Sequence, residues 1–138
     1  MAINNGYLGA NATFAYQMSG IPYVTSSAAN EATTSAVIKL SFPFVTKFFT
    51  VTNTDDAHTL KFGFTENGVN GNPTDNFIIL APGLSGSYDF RVKDLFFKGG
   101  SGASAFRVVA GLTTIERNHF PVLTGTLSNG TAGYEGVG

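Results

Sequence analysis

Residues 36–52 read AVIKLSFPFVTKFFTVT, and this stretch decides the fold. Ala36, Ile38, Leu40 and Phe42 alternate with Val37, Lys39 and Ser41, the period-two pattern of a strand with one buried face. Pro43 interrupts the pattern, since it has no backbone N–H for a ladder and belongs at a strand end, an edge or a bulge. From Phe44 onward the chain is apolar on both faces, with Val45, Phe49 and Val51 on one and Phe44 and Phe48 on the other. A strand of that kind calls for cover on both sides, from a second sheet or from a neighbouring subunit.

Downstream, Asn53-Thr54-Asp55-Asp56 reads as a turn, and Leu60, Phe62 and Phe64 then alternate with polar or small residues, so a hairpin is expected. Residues 66–75 hold three Asn, two Gly and Pro73 and read as a surface loop. The apolar run 77–80 ends at Ala81-Pro82-Gly83, where Pro and Gly fit the second and third positions of a type II turn. Tyr88, Phe90 and Val92 then alternate with Ser87, Asp89, Arg91 and Lys93, predicting a strand whose buried face includes Phe90. Asp94 is expected to start a tight connection into Leu95-Phe96-Phe97, and Gly99-Gly100-Ser101-Gly102 a hairpin turn into a last long strand with Phe106, Val108, Ala110 and Leu112 on one face.

Upstream, residues 28–36 are the only helical stretch to consider, and Asn30, Thr33, Thr34 and Ser35 argue against it. Weaker strands are expected near 23–26 and 122–127. Many short strands separated by turn signals imply an all-β sandwich or barrel. The organisation expected is an N-terminal arm over residues 1–20, one domain over 21–127 and a flexible tail over 128–138, rich in Gly, Thr and Asn.

The composition narrows the partners. Only 12% of the 138 residues are charged, and 8 Lys and Arg nearly balance 9 Asp and Glu. Phosphate binding needs a concentrated positive field, so direct contact with nucleic acid is not expected. A neutral surface of Thr, Ser, Asn and Gly leaves little repulsion between copies and suits self-association. The chain has no Cys, so neither disulfides nor thiolate metal sites contribute. No basic and apolar leader opens it and no run approaches the ~20 apolar residues of a membrane span, so synthesis in a cytosol-like space is expected.

Candidate chemistry is sparse. His58 lies beside Asp55 and Asp56, where an acid–base or metal site is conceivable, but Asx-rich turns arise routinely from side chains bonding local backbone. His119 precedes Phe120-Pro121 far along the chain and suggests no shared zinc site with His58. Asn70, Asn72 and Asp75 offer oxygens without the spacing of a calcium loop. The sequons at Asn11 and Asn129 read as chance matches in a chain rich in Asn and Thr. No catalytic, metal or cofactor site is therefore expected. As subunit contacts the candidates are Asn67, Asn70, Asn72 and Asp75 in the long polar loop, Asp89, Arg91 and Lys93 on the charged strand face, and the terminal arms.

Several stretches in order, Phe42-Pro43-Phe44-Val45-Thr46-Lys47, Phe62-Gly63-Phe64-Thr65-Glu66-Asn67-Gly68-Val69, Leu80-Ala81-Pro82-Gly83, Phe90-Arg91-Val92-Lys93-Asp94-Leu95-Phe96-Phe97 and Val109-Ala110-Gly111-Leu112-Thr113, resemble the penton and minor capsid proteins of large icosahedral double-stranded DNA viruses, particularly the algal chloroviruses. The resemblance implies a single jelly-roll β-sandwich of eight antiparallel strands. It further implies a non-enzymatic virion protein made in the host cytoplasm, five copies of which close each fivefold vertex. Its partners would be itself, the neighbouring major capsid protein and minor capsid or vertex proteins. A carbohydrate- or receptor-binding β-sandwich is the alternative, with exposed Tyr and Phe as a sugar platform and without Trp to serve it.

Overall fold

The computed structural model describes residues 20–71, 75–123, 130, 136 and 137. Eight strands form two four-stranded antiparallel sheets. They are β1 (Ile21–Ser26), β2 (Ile38–Ser41), β3 (Phe44–Asn53), β4 (Leu60–Gly63), β5 (Ile78–Leu80), β6 (Ser85–Tyr88), β7 (Asp94–Gly99) and β8 (Phe106–Glu116). The first sheet has the order β1-β8-β3-β6 and the second β2-β7-β4-β5. Pairing is nested: β1 pairs with β8, β2 with β7, β3 with β6 and β4 with β5. Two further pairings, β3 with β8 and β4 with β7, complete the sheets.

The inner faces supply the core. Val45, Phe49 and Val51 of β3 meet Leu60 and Phe62 of β4, Leu95 and Phe97 of β7, and Phe106, Val108 and Ala110 of β8, all essentially inaccessible. Phe97 stacks on Phe106 across the sheets at 3.9 Å between ring centroids. Each buried aromatic or aliphatic side chain contributes roughly 1.5–3 kcal/mol by leaving water, so this stripe is the main source of cohesion. The alternation read in residues 36–42 appears as β2, whose Ile38 and Leu40 pack against the core while Lys39 faces outward.

Two expected hairpins are instead crossovers. After β3 the chain passes to the other sheet, because β3 already has β8 on one edge and β6 on the other and offers β4 no place beside it. The same reasoning holds for β7, flanked by β2 and β4, so residues 100–105 carry the chain across to β8. Asn53, with no exposed surface, ties these crossovers together. Its amide donates to the carbonyls of His58 at 2.8 Å and Leu80 at 3.1 Å, and its oxygen accepts from Ser104 Oγ at 2.9 Å and Asp55 N at 3.1 Å. A buried amide so completely partnered is tolerated where an unpaired one would cost several kcal/mol, on the order of 1–3 per group. Among the described strands, only β4 and β5 are consecutive in chain and adjacent in a sheet. The turn at 81–84 is as read: Leu84 N donates to Ala81 O, and Gly83 has φ +74°, as a type II turn requires.

The strand expected through residues 87–93 stops at Tyr88. Thr46 ends it. Its hydroxyl donates to Phe90 O at 2.8 Å and accepts from Val92 N at 3.0 Å, while Thr46 N donates to Val92 O at 2.9 Å. Thr46 sits between two register shifts in β3, and this irregularity lets residues 89–93 leave the first sheet and enter the second. Phe90 is consequently 48% exposed rather than core, although Val92 is buried. Asp94 opens β7 opposite Ser41 instead of a tight connection.

The loop expected at 66–75 begins with a helix, α1 (Glu66–Asn70). Thr65 caps it, accepting from Gly68 N at 3.0 Å, and Gly71 ends it at φ +73°, the left-handed position that favours glycine. Five residues are too few to show a helical period. The cap pair Thr65 and Gly71, with Glu66 in the first turn, was the signal available. The weak strand near 23–26 is β1. The expected strand at 122–127, the arm over 1–20, the tail over 128–138 and both sequons fall mainly or wholly outside the described residues.

Candidate assembly surfaces

The two outer faces differ in chemistry. Across the first sheet, two rows of paired residues run Val24–Val109–Thr50–Ser87 and Ser26–Arg107–Thr52–Ser85. Arg107 is the single charge among those eight residues. Thr50 and Ser87 hydroxyls lie 2.8 Å apart, as do those of Thr52 and Ser85, so these hydroxyls are partly satisfied by one another and need less from water. Beside them Val24 and Val109 are 65% and 39% exposed. A third row, Pro22–Gly111–Phe48, completes the patch. The Phe48 ring lies over Gly111 and leaves no room for a side chain there. This is where the two-sided apolar character of β3 goes: one face to the core, the other to a neutral outer surface.

The second sheet presents cations. Lys98 and Lys61 are direct cross-strand neighbours, with Ile79 next in the row, and Lys39 stands beside Phe96. Like charges directly opposite repel, and local partners offset this. Lys61 Nζ lies 4.5 Å from the Phe77 ring centroid, and Lys98 Nζ donates to Asn70 Oδ1 at 3.0 Å. Val69 of α1, buried, packs where Gly63 leaves space on this face.

The candidate contact residues separate accordingly. Asn67 and Asn70 lie on α1 and Asp75 is exposed just beyond it, whereas Asn72 is outside the described residues. Asp89, Arg91 and Lys93 do not share a strand face, because residues 89–93 form the crossover. Asp89 and Arg91 are exposed, and Lys93 Nζ donates to Phe120 O at 3.2 Å. A cavity of about 330 Å³ brings Lys93 and Asn67 together, with Lys39, Phe64, Phe96 and Leu123 among its walls. Arg117, which sequence reasoning did not single out, closes the base of this end. Its guanidinium donates to Phe42 O at 2.8 Å, Lys93 O at 2.6 Å and Asp94 Oδ1 at 2.8 Å. Only folding brings Phe42 and the adjacent Lys93 and Asp94 around this side chain, so nothing in the local sequence marks it.

At the opposite end, Asp55 Oδ1 accepts from Ala57 N at 2.7 Å and His58 N at 2.8 Å. These amide hydrogen bonds hold its carboxyl below the ordinary range, with a smaller contribution from the His58 ring. His58 Nδ1 is buried without a hydrogen-bond partner, 3.4 Å from Asp55 Oδ1. His119 is exposed beyond the far end of β8, so the two histidines sit at opposite ends of the sandwich. Among the described residues no three His, Asp or Glu side chains gather as a metal site, and no helix is long and apolar enough to cross a membrane.

The geometry thus defines a two-layer antiparallel β-sandwich with one neutral and one lysine-bearing outer face. No protein-family model, curated protein or solved structure matches the chain.

Proposed function

We propose that this chain is a structural virion protein: a single jelly roll that assembles as a homopentamer and closes the fivefold vertices of an icosahedral capsid, with no catalytic role. The observation that carries the assembly is the neutral outer face of the first sheet, where two rows crossing all four strands hold one charge and leave Val24 and Val109 open to solvent. Burying such a face against a neighbour costs little desolvation, since few ions are involved and four of its five hydroxyls are paired with one another. The nested pairing supports the jelly-roll reading: a chain folded about the β4–β5 connection and rolled places the pairs β1–β8 and β3–β6 in one sheet and β2–β7 and β4–β5 in the other. The ordered stretches that resemble penton proteins supply the vertex assignment. In a closed ring the contact is heterologous, one flank of each copy meeting a different flank of the next.

The test is native mass measurement of the concentrated protein alongside Val24→Glu and Thr50→Glu. Wild type is expected to give a species of five 14.5 kDa chains. Each variant is expected to keep its fold, because Val24 is exposed and Thr50, though half-buried, lies on the outer face, where a substitution shifts stability by about 0.5–1 kcal/mol, and to lose the five-chain species. Assembly unchanged in both variants would contradict the role given to this face.

A carbohydrate- or receptor-binding sandwich is the second reading, favoured by Phe90, which is half exposed and stacked on Tyr88 at 5.7 Å. Glycan binding by a stable monomer, abolished in Phe90→Asp, would support it over the vertex role.

A further inference from the structure

Gly68 lies inside α1, and its φ is not in the left-handed region, so the backbone does not require glycine there. In a helix interior glycine costs about 1 kcal/mol relative to alanine. What its missing side chain provides is space. A Cβ at this position would collide with the carbonyl oxygens of Val137 and Asn76. Thr65 Oγ1 donates to the same Val137 carbonyl at 2.7 Å while accepting from Gly68 N at 3.0 Å. Thr65 and Gly68 are both buried. Together they form a seat shaped for a backbone carbonyl from the end of the chain.

Leu123 and Thr65 are walls of the same cavity of about 330 Å³. The end of the domain at Leu123 and the seat for Val137 therefore border one space. Twelve residues, 124–135, separate Leu123 from Gly136, a contour length of roughly 40 Å, enough to reach a copy packed alongside. A tail with such reach can fill the seat of an adjacent copy with the same contacts it makes on its own, so exchange loses no hydrogen bond. Tail and seat are also different surfaces of one chain. A contact between them is heterologous, the kind that closes a ring by rotation.

We infer that the Thr65–Gly68 seat is a docking site between copies: in the assembled protein it holds Gly136 and Val137 of a second copy, each chain passing its tail to the next. This rests on the reading that copies assemble. The effective concentration created by side-by-side packing favours the exchange once the neutral faces have met.

The chain has no cysteine, which allows a clean test. Asn67→Cys and Val137→Cys are made in separate copies carrying different mass labels, mixed, assembled and treated with a short bis-maleimide. Both substitutions spare the contact, which uses the Val137 carbonyl and the Thr65 hydroxyl. Exchange predicts a two-chain product containing both labels, and a ladder of linked chains from the double variant. A double variant that closes only on itself, with no mixed product although native mass still shows several copies, would overturn the exchange and leave the assembly reading intact. A protein that stays single-copy and gives no mixed product would overturn both.

Discussion

Phe90 illustrates how one hydroxyl changes the fate of a large side chain. Alternation with Tyr88 and Val92 predicts burial, but Thr46 captures the backbone around it and the ring is left stacked on Tyr88 at the surface, edge-on to Phe64. Phe90→Asp is accordingly expected to fold at a cost of about 1 kcal/mol. Phe62→Ala, which removes a ring with no exposed surface, should cost about 3–5 kcal/mol. Urea unfolding of the two variants checks the contrast, and equal losses would refute it. Asp55 supplies a pH signature. Its folded pKa is depressed by the amides of Ala57 and His58, so its contribution is present above the unfolded value of about 4 and disappears as pH falls through the lower folded value. Between roughly pH 5 and pH 2 the wild type should lose more stability than Asp55→Asn, with the difference between them shrinking toward the acid end.

Among the elements, the strands were legible and their partners were not. Period-two alternation marks β2, β4 and the core face of β8 because each has one buried face. Whether successive strands share a sheet depends on which edges are already taken, and that is a property of the whole fold: β3 and β7 each have two partners, so the turns after them become crossovers. The helix α1 escaped because five residues carry no period, and Arg117 because its acceptors come from two segments distant in sequence, Phe42 and Lys93-Asp94. Arg117 joins the β2–β3 connection, the 89–93 crossover and the start of β7. Lysine cannot reproduce a planar fork reaching three oxygens. Arg117→Lys should therefore cost about 2 kcal/mol and raise amide exchange in residues 89–94 more than in the Asn53 end of the sandwich. Uniform exchange across both ends would contradict this local role.

At the scale of the molecule, low charge in the composition becomes a spatial arrangement. The few cations include a group on the second sheet, at Lys39, Lys61 and Lys98, and the first sheet keeps a nearly neutral face. Of the candidate contact residues, Asn67 and Lys93 line one cavity; where the neutral surface lies could not be read, because its rows come from four strands distant in sequence. If that face joins copies at a capsid vertex, immunogold labelling of intact particles purified from the cells that make the protein locates it most directly. Label at the fivefold vertices, and not spread over the facets, is the predicted result. Purified particles that contain none of the chain would contradict the account.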